Sequence, residues 1–558
     1  MINNLLDYIR FALYGVIVIV LIFLYQAWKE DHPEKRQVNE PTTKTATNNN
    51  IPDIQNIVDK KQTLVDQDVK QPIAQQSEHK NIEITTDVIK VSINPLGGNI
   101  NKVELLDYPE SLHSEEPFLL LNNNPKTRYL AQSGLLSSKG PDTSKKQAIY
   151  TSEKQSYVLQ KNQDGLEVVL NWKNQDGIIV SKIFKFTKGS YEIDLDYKIQ
   201  NNTSSAWQGN LYLQLLRENN PPESTGGFVS FATYFGAAIS SPDKKFKKIS
   251  FTDMNKQNLN KEINGGWAAM IQHYFVSAWV PNENVTSNYF TAVNPDGLYT
   301  IGMIGPEINL QPGQGGQASA KFYAGPAIAE YLDPVAPSLK LTIDYGWFWF
   351  ISAIIFWMMQ HIYNVVGNWG WSIVIVTLII KLMFYKLSAK SYRSMSGLKK
   401  LQPKINALKE RFGDDKQKFT QATLELYKKE KVNPMSGCLP ILVQIPVFIG
   451  LYWVLIESVQ LRHAPFILWI HDLSIKDPYY VLPVLMGLSM LLQQRLNPPP
   501  PDPVQAKVMM LMPVVFTALF LNFPAGLMLY WFVNNSLSFL QQWYIMRSMN
   551  NDGNKTKK

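Results

Sequence analysis

The sequence predicts a polytopic α-helical membrane protein carrying a large antiparallel β-sandwich outside the cytoplasm. Three observations point there. Charged residues make up only 18% of the 558 residues, against roughly 25% in soluble chains. Period-two alternation dominates residues 82–340, the mark of half-buried strands. From Trp347 to Met546 the chain is apolar, broken by one strongly basic loop.

The elements follow in order. Phe11–Trp28 (FALYGVIVIVLIFLYQAW) is an uncharged run of 18 residues, and a span needs about 20. No small-x-small pair and no Cys follows it, so residues 1–28 read as an uncleaved anchor. Residues 29–81 are polar and poor in aromatics and read as a flexible tether. In the β-region, Tyr191, Ile193, Leu195, Tyr197 and Ile199 alternate with Glu192, Asp194, Asp196 and Lys198. Asp164-Gly165 and Asp176-Gly177 read as hairpin turns, and Leu96-Gly97-Gly98 separates two further strands. Residues 341–366 (WFWFISAIIFWMMQHIYNVV from Trp347) carry tryptophans and end on Gln360, His361 and Asn364; they read as an amphipathic helix in the membrane surface. A span remains the alternative. Five spans are expected at 369–388, 436–457, 478–495, 506–523 and 525–546, within a core at 367–546. Residues 547–558 form a basic tail.

Charge sets the orientation. Between Lys386 and Asn433 there are thirteen Lys/Arg against five Asp/Glu, a net of +8 that equals the excess of the whole chain. The positive-inside rule places this loop and the C-terminus in the cytoplasm. With six spans the N-terminus is also inside and the β-domain outside. Within the loop, Leu398, Leu401, Ile405, Leu408 and Phe412 recur at helical spacing. Gly413 can end that helix and Asp414 can cap a second, striped by Phe419, Ala422 and Leu426. The region 389–433 is therefore expected as a cytoplasmic helical hairpin. It either rests on anionic lipid or docks a partner through Lys399, Lys400, Lys404, Lys409 and Arg411.

Several chemistries receive no support. The sequence has no G-x-x-x-x-G-K-[ST] and no H-E-x-x-H, and its single Cys438 cannot form an internal bridge. His463 and His471 lack a third ligand nearby. No cofactor, metal or catalytic residue is expected. The informative residue is Lys381, inside WSIVIVTLIIKLMFYKL. A charge in a span costs at least ~2.5 kcal/mol. Its amine either extends roughly 7.5 Å along the helix to the headgroups or faces a wet cavity. Thr377 and Tyr385, at i−4 and i+4, share its helical face. Gln444, Glu457, Gln493, Gln494, Asn534, Asn535, Ser536, Ser538, Gln541 and Gln542 lie in other spans. Polar groups at membrane depth must meet one another or water, which favours the cavity.

Long segments then carry a resemblance. They are YQAWKED after the anchor, DYGWFWFIS at 344–352, VGNWGWSIVIVT at 366–377, LQPKINALKERFGDDKQK at 401–418, YKKEKVNPMSGCLPILVQIPVF at 427–448, APFILWIHDLSIKDPYYVLPVLMG at 464–487 and FPAGLMLYW at 523–531. In this order they resemble the YidC/Oxa/Alb family of membrane-protein insertases, nearly end to end. The resemblance implies a periplasmic β-sandwich shaped like sugar-mutarotase folds but without enzymatic use, and a five-span core with a hydrophilic groove. It matches the groove cation to Lys381, where arginine is usual, so charge is kept and the bidentate fork is lost. Thr377, Tyr530 and Trp531 match groove positions, Trp531 replacing a usual tyrosine, and Gln444 joins them as a polar group at depth. Ile445, Phe448 and Met486 match apolar substrate contacts. The implied partners are nascent membrane proteins, the Sec translocon, the ribosome and anionic phospholipid, with no nucleic-acid site beyond ribosome docking. The implied location is the bacterial inner membrane. A solute transporter using the same groove is the alternative, but no internal repeat supports it. A tethered sugar-acting enzyme would need a carboxylate pair that no motif marks.

Overall fold

The computed structural model describes residues 80–143, 146–221, 233–413, 415–430, 432, 439–498 and 503–555. The expected anchor at 1–28 and the tether up to residue 79 lie outside them, as does Asp414.

Alternation builds the β-region as expected. In Glu192–Asn201 the side chains of Ile193, Leu195, Tyr197 and Ile199 are buried. This strand pairs antiparallel with Ile178–Thr187 on one side and Gly315–Pro326 on the other. Its wet face carries Asp196 paired to Lys185 at 2.7 Å and Glu192 paired to Lys321 at 2.9 Å, exposed ion pairs worth at most about 1 kcal/mol. The described strands form a ten-stranded and a nine-stranded sheet. They close over one core that includes Trp207, Trp267 and Trp279.

Some turns depart from expectation. Gly177 adopts φ 110° and Gly97 and Gly98 adopt φ 74° and 60°, a region that glycine enters without steric cost, and both turns form as read. Asp164-Gly165 does not make a hairpin. Ser156–Val158 pairs parallel with Ile82–Thr85 in the first sheet, whereas Gly165–Lys173 pairs with Ile178–Thr187 in the second. The chain crosses between sheets there, so the sandwich is not wholly antiparallel. Lys182 is fully buried between the sheets and donates to the carbonyls of Gly97 at 3.0 Å and Ser133 at 2.9 Å. Burial pushes its amine down, and the neighbouring Asp142 charge opposes that shift.

The C-terminal region is helical: α1 Trp349–Val366, α2 Trp369–Met383, α3 Tyr385–Phe412, α4 Lys416–Lys429, α5 Leu439–Glu457, α6 Val481–Leu496, α7 Pro503–Leu519 and α8 Ala525–Lys555. Buried Ser352, Ile355 and Met359 make one face of α1, and Ser352 Oγ donates to the Gly450 carbonyl of α5 at 3.0 Å. The opposite side leaves Trp349, Ile354 and Trp357 exposed. Gly367, at φ 68°, ends α1, and Asn368 caps α2 by accepting from the Trp371 amide.

The span expected at 369–388 is not one helix. It stops at Met383, and the chain bends by 67° into α3. The Phe384 amide reaches both Ile380 and Leu382 carbonyls, tightening the last turn. The hairpin therefore starts at Tyr385, not residue 389. Its stripe is correct: Leu401 and Ile405 are buried. Its second cap is Asp415, which accepts from the Gln417 and Lys418 amides at 3.1 and 3.0 Å, not Asp414. The last helix runs on to Lys555, so the basic tail begins as helix. Among the described residues, α1 alone reaches 18 residues with enough apolarity to cross a bilayer, α2 with α3 reaches it as a bent pair, and Leu442–Glu457, Val481–Leu496 and Ala506–Asn522 are shorter. Sixteen helical residues cover about 24 Å, against ~30 Å of hydrocarbon, so helix length does not yield the count of five spans.

One short turn joins the sandwich to the helices. After α5, Val459 enters the sandwich core and Leu461 enters the helical core. Arg462 donates to the Glu110 carbonyl at 2.8 Å and lies 5.5 and 5.8 Å from the Phe118 and Phe275 ring centroids. From the sandwich, His273 donates through Nε2 to the Ile456 carbonyl at 2.8 Å. Burial pushes that ring down from 6.5 to about 4, and Arg462 adds to the shift. The folded chain thus holds His273 neutral where the unfolded chain protonates it. Its contribution is complete above about pH 6.5 and is lost as pH falls toward about 4. Thermal unfolding of the detergent-solubilised chain between pH 7 and 4.5 should show a falling Tm. In His273→Asn, which tolerates the φ of 50° here, the fall should be shallower.

Candidate functional site: a cleft beside a polar ladder

The site begins where α2 ends. Lys381 occupies the last turn of α2, just before the bend, and its side chain turns inward. Its Nζ donates to Ser538 Oγ on α8 at 2.7 Å. Ser538 donates in turn to the Asn534 carbonyl one helical turn earlier, also at 2.7 Å. From the facing wall, Gln444 of α5 donates to Tyr530 Oη at 3.3 Å and to Asn534 Oδ1. A continuous polar ladder therefore links α2, α8 and α5. Beside it lies a narrow cleft walled by Ile380, Lys381, Phe384, Pro440, Gln444 and Val447 among others.

Three further amide side chains of α8 follow the same logic and reach partners on neighbouring elements, whereas Ser536 donates to the Phe532 carbonyl of its own helix at 2.8 Å. Asn535 donates to Ser489 of α6 at 3.2 Å, Gln542 to Asn497 at 2.9 Å and Gln541 to the Tyr385 carbonyl at 3.2 Å. Ser388 lines the cleft. Sequence reasoning passed over Ser388, Ser489 and Asn497. The signal was available as short polar side chains inside or at the end of apolar helices.

The other expected residues are placed differently. Thr377 is 1% exposed and its hydroxyl donates to its own helix, at the Ile373 carbonyl, 2.6 Å away; it does not line the cleft. The shared face of Thr377, Lys381 and Tyr385 is broken by the bend. Tyr530 is buried, and Trp531 stands in an aromatic group with Phe448 at 4.7 Å and Phe520 at 4.8 Å. Ile445 is 46% exposed and Met486 fully buried, so Ile445, Phe448 and Met486 do not form one open surface in this conformation. On the hairpin, Lys399, Lys400, Lys404, Lys409 and Arg411 are all exposed. Lys404 pairs with Glu430 at 2.6 Å beside a shallow groove between α3 and α4. Among the described residues no three or more His, Cys, Asp or Glu side chains gather as a metal site would require.

Known proteins match this arrangement along its length. The YidC periplasmic domain family matches residues 81–358, and the 60Kd inner membrane protein family matches residues 361–552. A membrane protein insertase YidC of Legionella pneumophila (strain Paris) is 49% identical over 557 residues, covering 98% of each chain. One from Nitrosococcus oceani is 45% identical over 553 residues, covering 98% of this chain and 99% of its own. The chain belongs to the YidC family. It is thus an inner-membrane protein whose β-sandwich is the family's periplasmic domain and whose helices form the 60Kd membrane region. A crystal structure of an active YidC insertase with its first transmembrane domain resolved covers 84% of this chain and 93% of its own, at 17% identity and a TM-score of 0.38.

The ladder makes a stability prediction. Gln444→Leu leaves the Asn534 side chain and Tyr530 hydroxyl without this donor, and a buried polar group left unpaired costs about 1–3 kcal/mol. Thermal unfolding in detergent should show a lowered Tm for Gln444→Leu and a smaller loss for Gln444→Asn.

Proposed function

We propose that the chain inserts integral proteins into the inner membrane and helps them fold. One observation carries the reading: a lysine near the end of an apolar helix is turned inward beside a cleft and bonded to Ser538, not stretched away from it. A hydrophilic segment crossing bare hydrocarbon leaves its backbone groups unpaired, at several kcal/mol each. A cleft lined by Lys381, Ser388 and Gln444 supplies partners part-way and lowers that barrier. The positive charge favours acidic segments, and the membrane potential adds ~2.3 kcal/mol per charge per 100 mV. The client's apolar helix then leaves past Ile445 and Phe448 into lipid, where hydrophobic burial drives release. Met486 joins that path only if α6 shifts. No nucleotide or cofactor enters this scheme.

The same reading places the basic hairpin and the C-terminus in the cytoplasm by charge. With an N-terminal anchor and five short spans, the N-terminus is cytoplasmic and the sandwich periplasmic. Residues 341–366 lie in the membrane surface, their exposed tryptophans at the interface. The hairpin, through Lys399, Lys400, Lys409 and Arg411, is the docking surface for the ribosome or for anionic phospholipid, and the chain acts alone or beside the Sec translocon.

Reconstituted vesicles test the cleft cation. Lys381→Ala should lower insertion of a small single-span client several-fold, Lys381→Glu should lower it further for acidic clients, and Lys381→Arg should keep most of it. Wild-type insertion by both the alanine and glutamate variants would sink the role of the charge. Deleting residues 60–320 should leave measurable insertion by the helical core.

A further inference from the structure

The loop between α5 and α6 closes as a pinned turn with an apolar tip. The Leu473 amide donates to the Ala464 carbonyl at 3.0 Å and the Phe466 amide to the Ile470 carbonyl at 2.9 Å. This leaves Ile467, Leu468 and Trp469 at the tip. Such tips in water carry Gly, Asn or Asp, which accept left-handed backbone. Here Leu468 sits at φ 56° and is 76% exposed, with Ile467 45% exposed beside it. The chain thus accepts an unfavourable backbone conformation to hold a leucine out of the fold.

The root of the turn is rigid. Trp469 Nε1 donates to Asp477 at 3.0 Å, and the same fully buried carboxylate accepts from the Tyr479 and Leu482 amides at the start of α6. On the other side, Asn368, the cap of α2, donates through Nδ2 to the carbonyls of Pro465 and Phe466. Phe466 lies edge-on to Trp371 at 5.5 Å, so close to α2 that a Cβ at Gly370 would meet its ring at 2.0 Å.

We infer that Ile467 and Leu468 insert into the outer leaflet of the bilayer and fix the depth at which α2 and α6 enter it. Three features name lipid as the occupant. The tip carries no acidic or basic side chain. It is bonded to the first residues of α2, whose apolar side chains Leu378 and Leu382 stand exposed further along. Trp371, in the adjoining turn of α2, is itself 43% exposed, as interface-seeking tryptophans are. The inference rests on the reading above that α2 enters the membrane from its outer side at Asn368.

Spin labelling of the full chain tests it. In a Cys438→Ala background, nitroxide labels are placed by Leu468→Cys, by Leu382→Cys as a lipid reference and by Lys161→Cys as a water reference. The chains are reconstituted in vesicles of phosphatidylethanolamine and phosphatidylglycerol, and power saturation compares oxygen with a water-soluble nickel complex. The Leu468 label should favour oxygen, as Leu382 does, and resist nickel at least several-fold better than Lys161. A nickel-accessible Leu468 label beside an oxygen-accessible Leu382 label would overturn the tip proposal alone. A nickel-accessible Leu382 label would overturn it together with the span reading. A Leu468 label shielded from both reagents would mean a protein covers the tip, and would also overturn it.

Discussion

A polar atom carried into hydrocarbon must find its hydrogen-bonding partner within the protein or in water held there. The helical region is arranged around that constraint. Lys381 is answered by Ser538, Gln444 by Tyr530 and Asn534, Asn535 by Ser489, and Gln542 by Asn497. Nearly all of these bonds run to one helix, α8, which supplies a polar stripe to its neighbours while its other faces stay apolar. Remove the stripe and the helices lose their reason to meet in this register. The cleft exists because one segment of that wall, between α2 and α5, is not fully closed by side chains.

Much of this was legible in the chain. Period two marked the strands because one face of each is buried, and the spacing of Leu398, Leu401 and Ile405 marked the hairpin seam. Polar residues inside apolar runs marked the ladder. What could not be read has common physical causes. The bend after Met383 occurs without Pro or Gly, so no local signal announces it; it follows from packing of α2 and α3 against α8. The crossing at Asp164-Gly165 looks locally like a hairpin, since an Asp-Gly pair suits either turn, and only the pairing partners differ. Lys182 has the polarity of a surface residue but the strand parity of a core one, and parity prevailed because two backbone carbonyls were in reach.

The turn at Val459–Leu461 ties the periplasmic domain to the membrane region. Val459 belongs to one hydrophobic core and Leu461 to the other. Separating the two halves therefore requires exposing apolar side chains on both sides. Arg462 and His273 add directional bonds about that point, so the turn resists rotation as well as separation.

The bend at Phe384 has a mechanical consequence. Beyond it α3 continues for 28 residues, with Pro403 inside it, about 42 Å of helix, inclined 67° to the helix that bears Lys381. Such a helix is a lever arm whose fulcrum, Phe384, lines the cleft. A force on its far end acts with that length behind it, and the resulting torque arrives at the turn that aims the lysine. Displacement at the far tip is thereby geared down into a small reorientation at the base.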